Sequence, residues 1–162
     1  MASILIIDDN FEFCETLTAL ALRLGHVATY ALSLNEGLKK VSLDFFDVVF
    51  LDVRLPDGNG LEALPHIQQT SSSPEIFIVT GLGDADGAEL AINSGAWAYV
   101  QKPISMKNIA FQLERALQYR EEKTKAKSPV LLRRKGIIGN STALERSLTQ
   151  VAYVARNDVN VM

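Results

Sequence analysis

The amino-acid sequence predicts an α/β fold, a doubly wound five-stranded parallel sheet, on three observations. Four short apolar runs each end in a polar residue: Ile4-Leu5-Ile6-Ile7 in Asp8-Asp9, Val48-Val49-Phe50-Leu51 in Asp52, Ile76-Phe77-Ile78-Val79 in Thr80, and Trp97 to Val100 in Gln101-Lys102-Pro103. The runs are apolar without alternation, the pattern of strands buried on both faces of a parallel sheet. Helix-like segments separate them, and parallel neighbours need such crossovers.

Taken in order, the first strand leads into Phe13, Leu17, Leu20, Ala21 and Leu24 at helical spacing, with Gly25 as the stop, so a helix is expected from about Asn10 to Leu24. Val27 to Ala31 is a weaker second strand, and Ser33 caps a helix through Val41 with Glu36 in the capping-box position. Asp47 to Leu51 is the third strand. Leu55-Pro56-Asp57-Gly58-Asn59-Gly60 is turn chemistry before a short helix, Leu61 to Gln69, which Ser71-Ser72-Ser73-Pro74 ends. After the fourth strand comes a helix from about Asp84 to Asn93, closed at Gly95, and then the fifth strand, Trp97 to Val100. Ser105 caps a long helix whose stripe is Met106, Ile109, Ala110, Leu113, Ala116 and Leu117. Five strand–helix units in about 120 residues define a flavodoxin-type architecture.

A chain of 162 residues, 48% hydrophobic and 22% charged, has the material for one real core and a remainder too small for a second full domain. Its longest apolar stretches fall short of a membrane span, and Met1-Ala2-Ser3 enters strand sequence without a basic leader, so a cytoplasmic location and no membrane contact are expected. Cys14 is the only cysteine, which excludes an internal disulfide, and its place on an apolar stripe reads as a buried thiol. His26 and His66 stand apart and read as packing or surface residues.

Charge divides the chain. Residues 1 to 120 carry 8 Lys/Arg against 15 Asp/Glu, net −7, and residues 121 to 162 carry 8 against 4, net +4. Beyond Leu117 the stripe fades into a polar, helix-compatible run ending at Ser128-Pro129. Lys123, Lys125, Lys127, Arg133, Arg134 and Lys135 read as a solvated linker face rather than a contact for nucleic acid or an acidic surface. The ending at Val161-Met162, inside what reads as another strand, has the look of a cut.

Ligands of such sheets bind beyond the carboxyl ends of the strands, so Asp8, Asp9, Asp52, Thr80 and Lys102 are expected to converge. Three carboxylates that close raise one another's pKa and need positive charge among them. Hard oxygen donors without His or Cys suit Mg2+, with Mn2+ also acceptable, and Lys102 adds a fixed cation. A metal, an ammonium and a hydroxyl are what a transferring phosphoryl group requires. Asp52, alone at its strand end, is the candidate nucleophile, while adjacent Asp8 and Asp9 are better placed to hold metal. Taken singly, each residue also has an ordinary reading as a turn former, a backbone-bonding hydroxyl or a surface charge; their joint placement at matching strand ends is what points to a site. No G-x-x-x-x-G-K-[ST] is present, Gly81-Leu82-Gly83 is no substitute for it, and the acidic first turn would repel a dinucleotide phosphate.

Asp8-Asp9, the run Leu51-Asp52-Val53-Arg54-Leu55-Pro56-Asp57-Gly58-Asn59-Gly60, Thr80-Gly81, Gly95-Ala96 with Tyr99, and Lys102-Pro103 together resemble the receiver domain of bacterial two-component response regulators, over residues 1 to 120. The resemblance implies the receiver fold, flavodoxin-like with strand order 2-1-3-4-5, and a phosphoryl group passed from a sensor histidine kinase to Asp52. It also implies Mg2+ on Asp9, Asp52 and the main-chain carbonyl of Arg54, with Asp8 assisting through water, and Thr80 and Lys102 on the phosphoryl oxygens. A cis Lys102-Pro103 bond and a Thr80–Tyr99 switch pair belong to the same expectation. Ala98 departs from the Asp that many members carry, away from the predicted site.

Gly136-Ile137-Ile138-Gly139-Asn140-Ser141 and the helical pattern after it resemble the opening of the AAA+ ATPase domain of sigma-54-dependent transcription activators. That implies a receiver at 1–120, a helical basic linker at 121–135 and a truncated AAA+ start at 136–162. The function implied is a phosphoacceptor switch and not an enzyme, with DNA and sigma-54 RNA polymerase engaged only through domains absent from this chain. Homodimerisation through the last receiver helix and linker, with Leu113 and Leu117 contributing, is expected. Two alternatives fit the residues less well. A phosphotransferase of the haloacid-dehalogenase type expects a second Asp where Arg54 stands, and an unphosphorylated dimerisation module has no need of the full charged set.

Overall fold

Apolar residues at successive positions need cover on both sides, and the sheet provides it. The computed structural model describes residues 1–81 and 85–127, with 85 and 86 described through their backbone alone. The elements are β1 (Ser3–Ile7), α1 (Phe11–Arg23), β2 (Val27–Ala31), α2 (Leu34–Leu43), β3 (Val48–Asp52), β4 (Arg54–Leu55), β5 (Gly58–Asn59), α3 (Gly60–Gln68), β6 (Glu75–Thr80), α4 (Ala85–Asn93), β7 (Ala98–Gln101) and α5 (Met106–Lys127). The five-stranded parallel sheet runs β2-β1-β3-β6-β7. Counted among themselves, its strands have the expected order 2-1-3-4-5. The segment read only as a turn holds a two-stranded antiparallel ribbon, β4 with β5.

Alternate residues of each strand face opposite layers. Leu5, Ile7, Val49, Leu51, Ile76 and Ile78 pack with residues of α2, α3 and α4, while Ile4, Ile6, Val48, Phe50, Phe77 and Val79 pack with α1 and α5. The central strands β3 and β6 are buried throughout; the edge strands β2 and β7 are only half-buried, which is why their sequence signal is weak. Phe50 and Phe77, partners in register, stack with centroids 4.8 Å apart.

Side chains cap the starts of α1 and α2. The Asn10 side chain accepts the Phe13 N–H, and Ser33 Oγ accepts the Glu36 N–H while Glu36 Oε2 takes the Leu32 N–H at 3.3 Å. Gly25 ends α1 at φ +83°, a conformation that disfavours side chains. Cys14 is buried and free, as expected.

One expectation is corrected. Leu113 has no exposed surface: it lies in the layer between α5 and the sheet, so it has nothing to offer a dimer face, whereas Leu117 is half-buried at the edge of that layer. Helical spacing put both on one stripe without separating its centre from its margin. Lys123, read as solvated, stands 3.6 Å from the carboxylate of Glu75, and α5 crosses position 120 without a break. Among the described residues, no helix is long and apolar enough to cross a membrane. Leu82, Gly83, Asp84 and everything read into 128–162, including the remaining linker and the AAA+ start, lie outside the described residues.

Candidate functional site

β1 and β3 are adjacent, and the chain leaves them in opposite directions, to β2 on one side and β6 on the other; the crevice of a doubly wound sheet opens at that point. Asp8 follows β1, and its N–H continues the ladder to the Ala31 carbonyl at 3.1 Å. Asp52 is the last residue of β3. Carboxylate oxygens of Asp8, Asp9 and Asp52 all lie within 4.8 Å of one another; Asp8 and Asp52 are buried and Asp9 is exposed.

Lys102 joins them from the position just beyond β7. Its backbone N–H donates to the Thr80 carbonyl at 2.7 Å, and the Lys102-Pro103 peptide is cis. Its Nζ donates to Asp8 Oδ2 at 2.5 Å and to Asp52 Oδ2 at 3.0 Å. The second oxygens are occupied by backbone: Asp8 Oδ1 accepts the Asn10 N–H at 2.9 Å, and Asp52 Oδ1 accepts the Arg54 N–H at 3.0 Å. Thr80 ends β6, buried, one residue beyond the register partner of Asp52. Tyr99 is half-buried on the neighbouring strand, opposite Ile78, and packs against the layer of α2 and α3. That burial fits an inward-turning ring and an ordinary strand residue equally.

Burial pushes the Asp8 carboxyl above its usual range, and the hydrogen bonds from Lys102 and Asn10 only partly counter it. For Lys102 burial opposes the charge, yet its bonds to Asp8 and Asp52 outweigh burial and hold its pKa above the ordinary value. The Cys14 thiol, pushed up to about 12 by burial, donates to the Asp8 carbonyl at 3.4 Å and is no nucleophile. One ammonium thus faces three carboxylates. The donors are hard oxygens with negative charge to spare, which fits a divalent cation such as magnesium and is unsuited to a soft metal.

The turn after Asp52 is held close. The Gly60 N–H donates to the Val53 carbonyl at 2.9 Å, and a Cβ at Gly60 would lie 2.1 Å from the Asp52 carbonyl oxygen, so only glycine fits. Arg54 is exposed in this turn.

Two neighbours of the site were missed from sequence. Asp57 accepts the N–H groups of Leu34 and Asn35, both at 2.8 Å, tying the turn to the first residues of α2; its turn position gave no sign of the distant helix. Phe13, read as a stripe residue, holds its ring 4.5 Å from Lys102 Nζ. Its nearness in sequence to Asp8 and Asp9 was the one available signal.

The description "response regulator receiver domain" matches residues 4–114. The transcriptional regulatory protein ZraR of Escherichia coli strain K12 is 29% identical over 159 residues, 98% of this chain and 36% of ZraR. The DNA-binding transcriptional regulator NtrC of Klebsiella pneumoniae is 27% identical over 97% of the chain and 34% of its own length. This chain therefore spans about a third of these curated relatives. Among solved structures, the beryllofluoride-activated NtrC4 receiver domain dimer superposes with a TM-score of 0.70 at 31% identity, covering 74% of this chain and 99% of that one. A CheY-like receiver domain protein of Methanospirillum hungatei JF-1 gives 0.72 at 26%, covering 76% and 98%. With its sheet, its acidic crevice and most of its length accounted for in this way, the chain belongs to the response regulator receiver domain family, phosphoacceptor switches of two-component systems rather than catalytic enzymes.

Proposed function

We propose that this receiver accepts a phosphoryl group on Asp52 from a phosphohistidine of a sensor histidine kinase, in a magnesium-dependent step. The observation that carries the reading is the shared ammonium: Lys102 Nζ bonds both Asp8 and Asp52, with Asp9 completing a carboxylate set within 4.8 Å. A carboxylate oxygen of Asp52 attacks phosphorus, the P–N bond of the donor breaks, and its electron pair returns to the imidazole, leaving an acyl phosphate. Lys102 moves its hydrogen bonds to a phosphoryl oxygen, and the Thr80 hydroxyl donates to another. Asp8, Asp9, Asp52 and the Arg54 carbonyl are the groups that would hold Mg2+ or Mn2+, which neutralises charge developing on the equatorial oxygens.

The Thr80–Tyr99 pair is the switch in this reading: the threonine's new bond frees space that the half-buried ring fills, biasing the surface of α4, β7 and α5. Similarity to the curated relatives supports a reading of the attached machinery. Residues 1–120 act as the receiver, 121–135 as a linker and 136–162 as the start of an AAA+ domain of a sigma-54-dependent activator, whose remaining parts would meet DNA and polymerase. A homodimer forms through α5, using Leu117 with exposed Phe111 and Tyr119; the NtrC4 receiver, described as a dimer, supports this.

The test is intact mass after incubation with Mg2+ and acetyl phosphate. One phosphoryl adduct on the wild-type chain and none on Asp52→Asn is expected; an adduct that survives in Asp52→Asn overturns the assignment. Sedimentation with and without beryllium fluoride tests the dimer, and a monomer under both conditions rejects it.

A further inference from the structure

An ammonium has three hydrogens, and at Lys102 two of them are spent on Asp8 Oδ2 and Asp52 Oδ2. The same Nζ stands 4.5 Å from the centroid of the Phe13 ring, inside the distance at which an aromatic face attracts a cation. Phe13 is fixed there by its own backbone. Its N–H donates to Asn10 Oδ1 at 3.0 Å, and the Asn10 N–H donates to Asp8 Oδ1 at 2.9 Å, so one short run of bonds links the ring's residue to the carboxylate that grips the lysine. The ring is half-buried and packs against the layer of α1 and α5, which limits its freedom to turn away.

We infer that Phe13 is a positioning residue for Lys102, its ring seating the ammonium so that it can pass from the two carboxylates to an incoming phosphoryl oxygen without leaving the crevice. The inference rests on the phosphoacceptor reading above. A carboxylate holds an ammonium through directed bonds, and two carboxylates alone would keep it where it is. The ring face attracts the charge without requiring any particular N–H to point at it and offers no lone pair to compete with the phosphoryl oxygen. It also covers a side of the ammonium that water would otherwise solvate. An aliphatic side chain of similar size would pack as well but would lack that attraction.

The experiment compares Phe13→Leu and Phe13→Tyr in the full chain, each with Lys102 present and in a Lys102→Met background. The readout is the rate of phosphorylation by acetyl phosphate with Mg2+. With Lys102 present, Phe13→Leu is expected to slow the reaction about fivefold and Phe13→Tyr to stay within about twofold of wild type. In the Lys102→Met background, Phe13→Leu is expected to add nothing. A second measurement is independent of the chemistry: in NMR spectra the Lys102 ε-methylene protons of the wild-type chain should be shifted upfield by the ring and return toward ordinary values in Phe13→Leu. Equal losses for Leu and Tyr, or the same loss from Leu with and without Lys102, would assign Phe13 to packing alone and overturn the inference. A wild-type chain that takes no phosphoryl group defeats the phosphoacceptor reading instead, and an unshifted Lys102 then also defeats the seating.

Discussion

Each end of the parallel sheet has carboxylate charge gripped by a cation from far along the chain, one carboxylate to that cation at the amino end and several at the other. At the amino end, Asp47 Oδ2 accepts the Ser3 N–H at 2.8 Å and Asp47 Oδ1 accepts Arg120 Nε at 3.0 Å. The same guanidinium donates to the carbonyls of Ser73 at 2.7 Å and Ser72 at 2.5 Å and lies 5.7 Å from the Phe45 ring. Charge matches charge and each of the three guanidinium nitrogens donates a hydrogen bond, so this end is a fastening. At the carboxyl end one lysine answers three carboxylates, two of them buried. The unbalanced end has capacity for more positive charge and for a ligand that rearranges its bonds, and chemistry belongs there.

The strongest way to break this comparison is Lys102→Met. It leaves Asp8 and Asp52 buried without their cation, and a loss of about 3 kcal/mol of stability is expected in urea unfolding without divalent ions. Magnesium should restore part of that loss, because it supplies the missing charge; no recovery would mean that this end has no appetite for a cation. Arg120→Ala should cost less, about 2 kcal/mol, with no recovery in magnesium. It should speed amide exchange in α5 beyond Leu117 while leaving Asp52 phosphorylation unchanged.

The smallest effect is a pH dependence. The Asn35 and Leu34 N–H groups hold the Asp57 carboxyl below its usual range. Its folded value lies under the unfolded one of about 3.9, so the stability it contributes is complete above that value and is lost as pH falls through the depressed one. In acid unfolding, Asp57→Asn should flatten this part of the profile and leave neutral-pH phosphorylation intact. An unchanged profile would show that the two N–H bonds contribute nothing.

The sequence disclosed the sheet and the acidic cluster because both are written locally. Short unbroken apolar runs bounded by turn signals read as buried strands, and a polar residue at the end of such a run emerges at the carboxyl end of the sheet, as Asp8, Asp52 and Thr80 do. What stayed hidden depends on approach across the fold. Asp57 meets α2, Arg120 meets Asp47 and Phe13 meets Lys102 through separations that no periodicity encodes. The expectation for Leu113 failed for a related reason: it and Leu117, four apart, share a helix face, and only the neighbouring strands decide which of the two is sealed.

α5 runs for 22 residues, roughly 33 Å at the usual helical rise, and Arg120 rivets it to the body of the receiver well along its length. The helix is therefore a lever arm that cannot swing by itself. Any rotation of the receiver against a neighbour, too slight to notice at the sheet, is magnified into displacement at Lys127. In the proposed reading, phosphorylation of Asp52 would be readable as movement at the far tip of a rod.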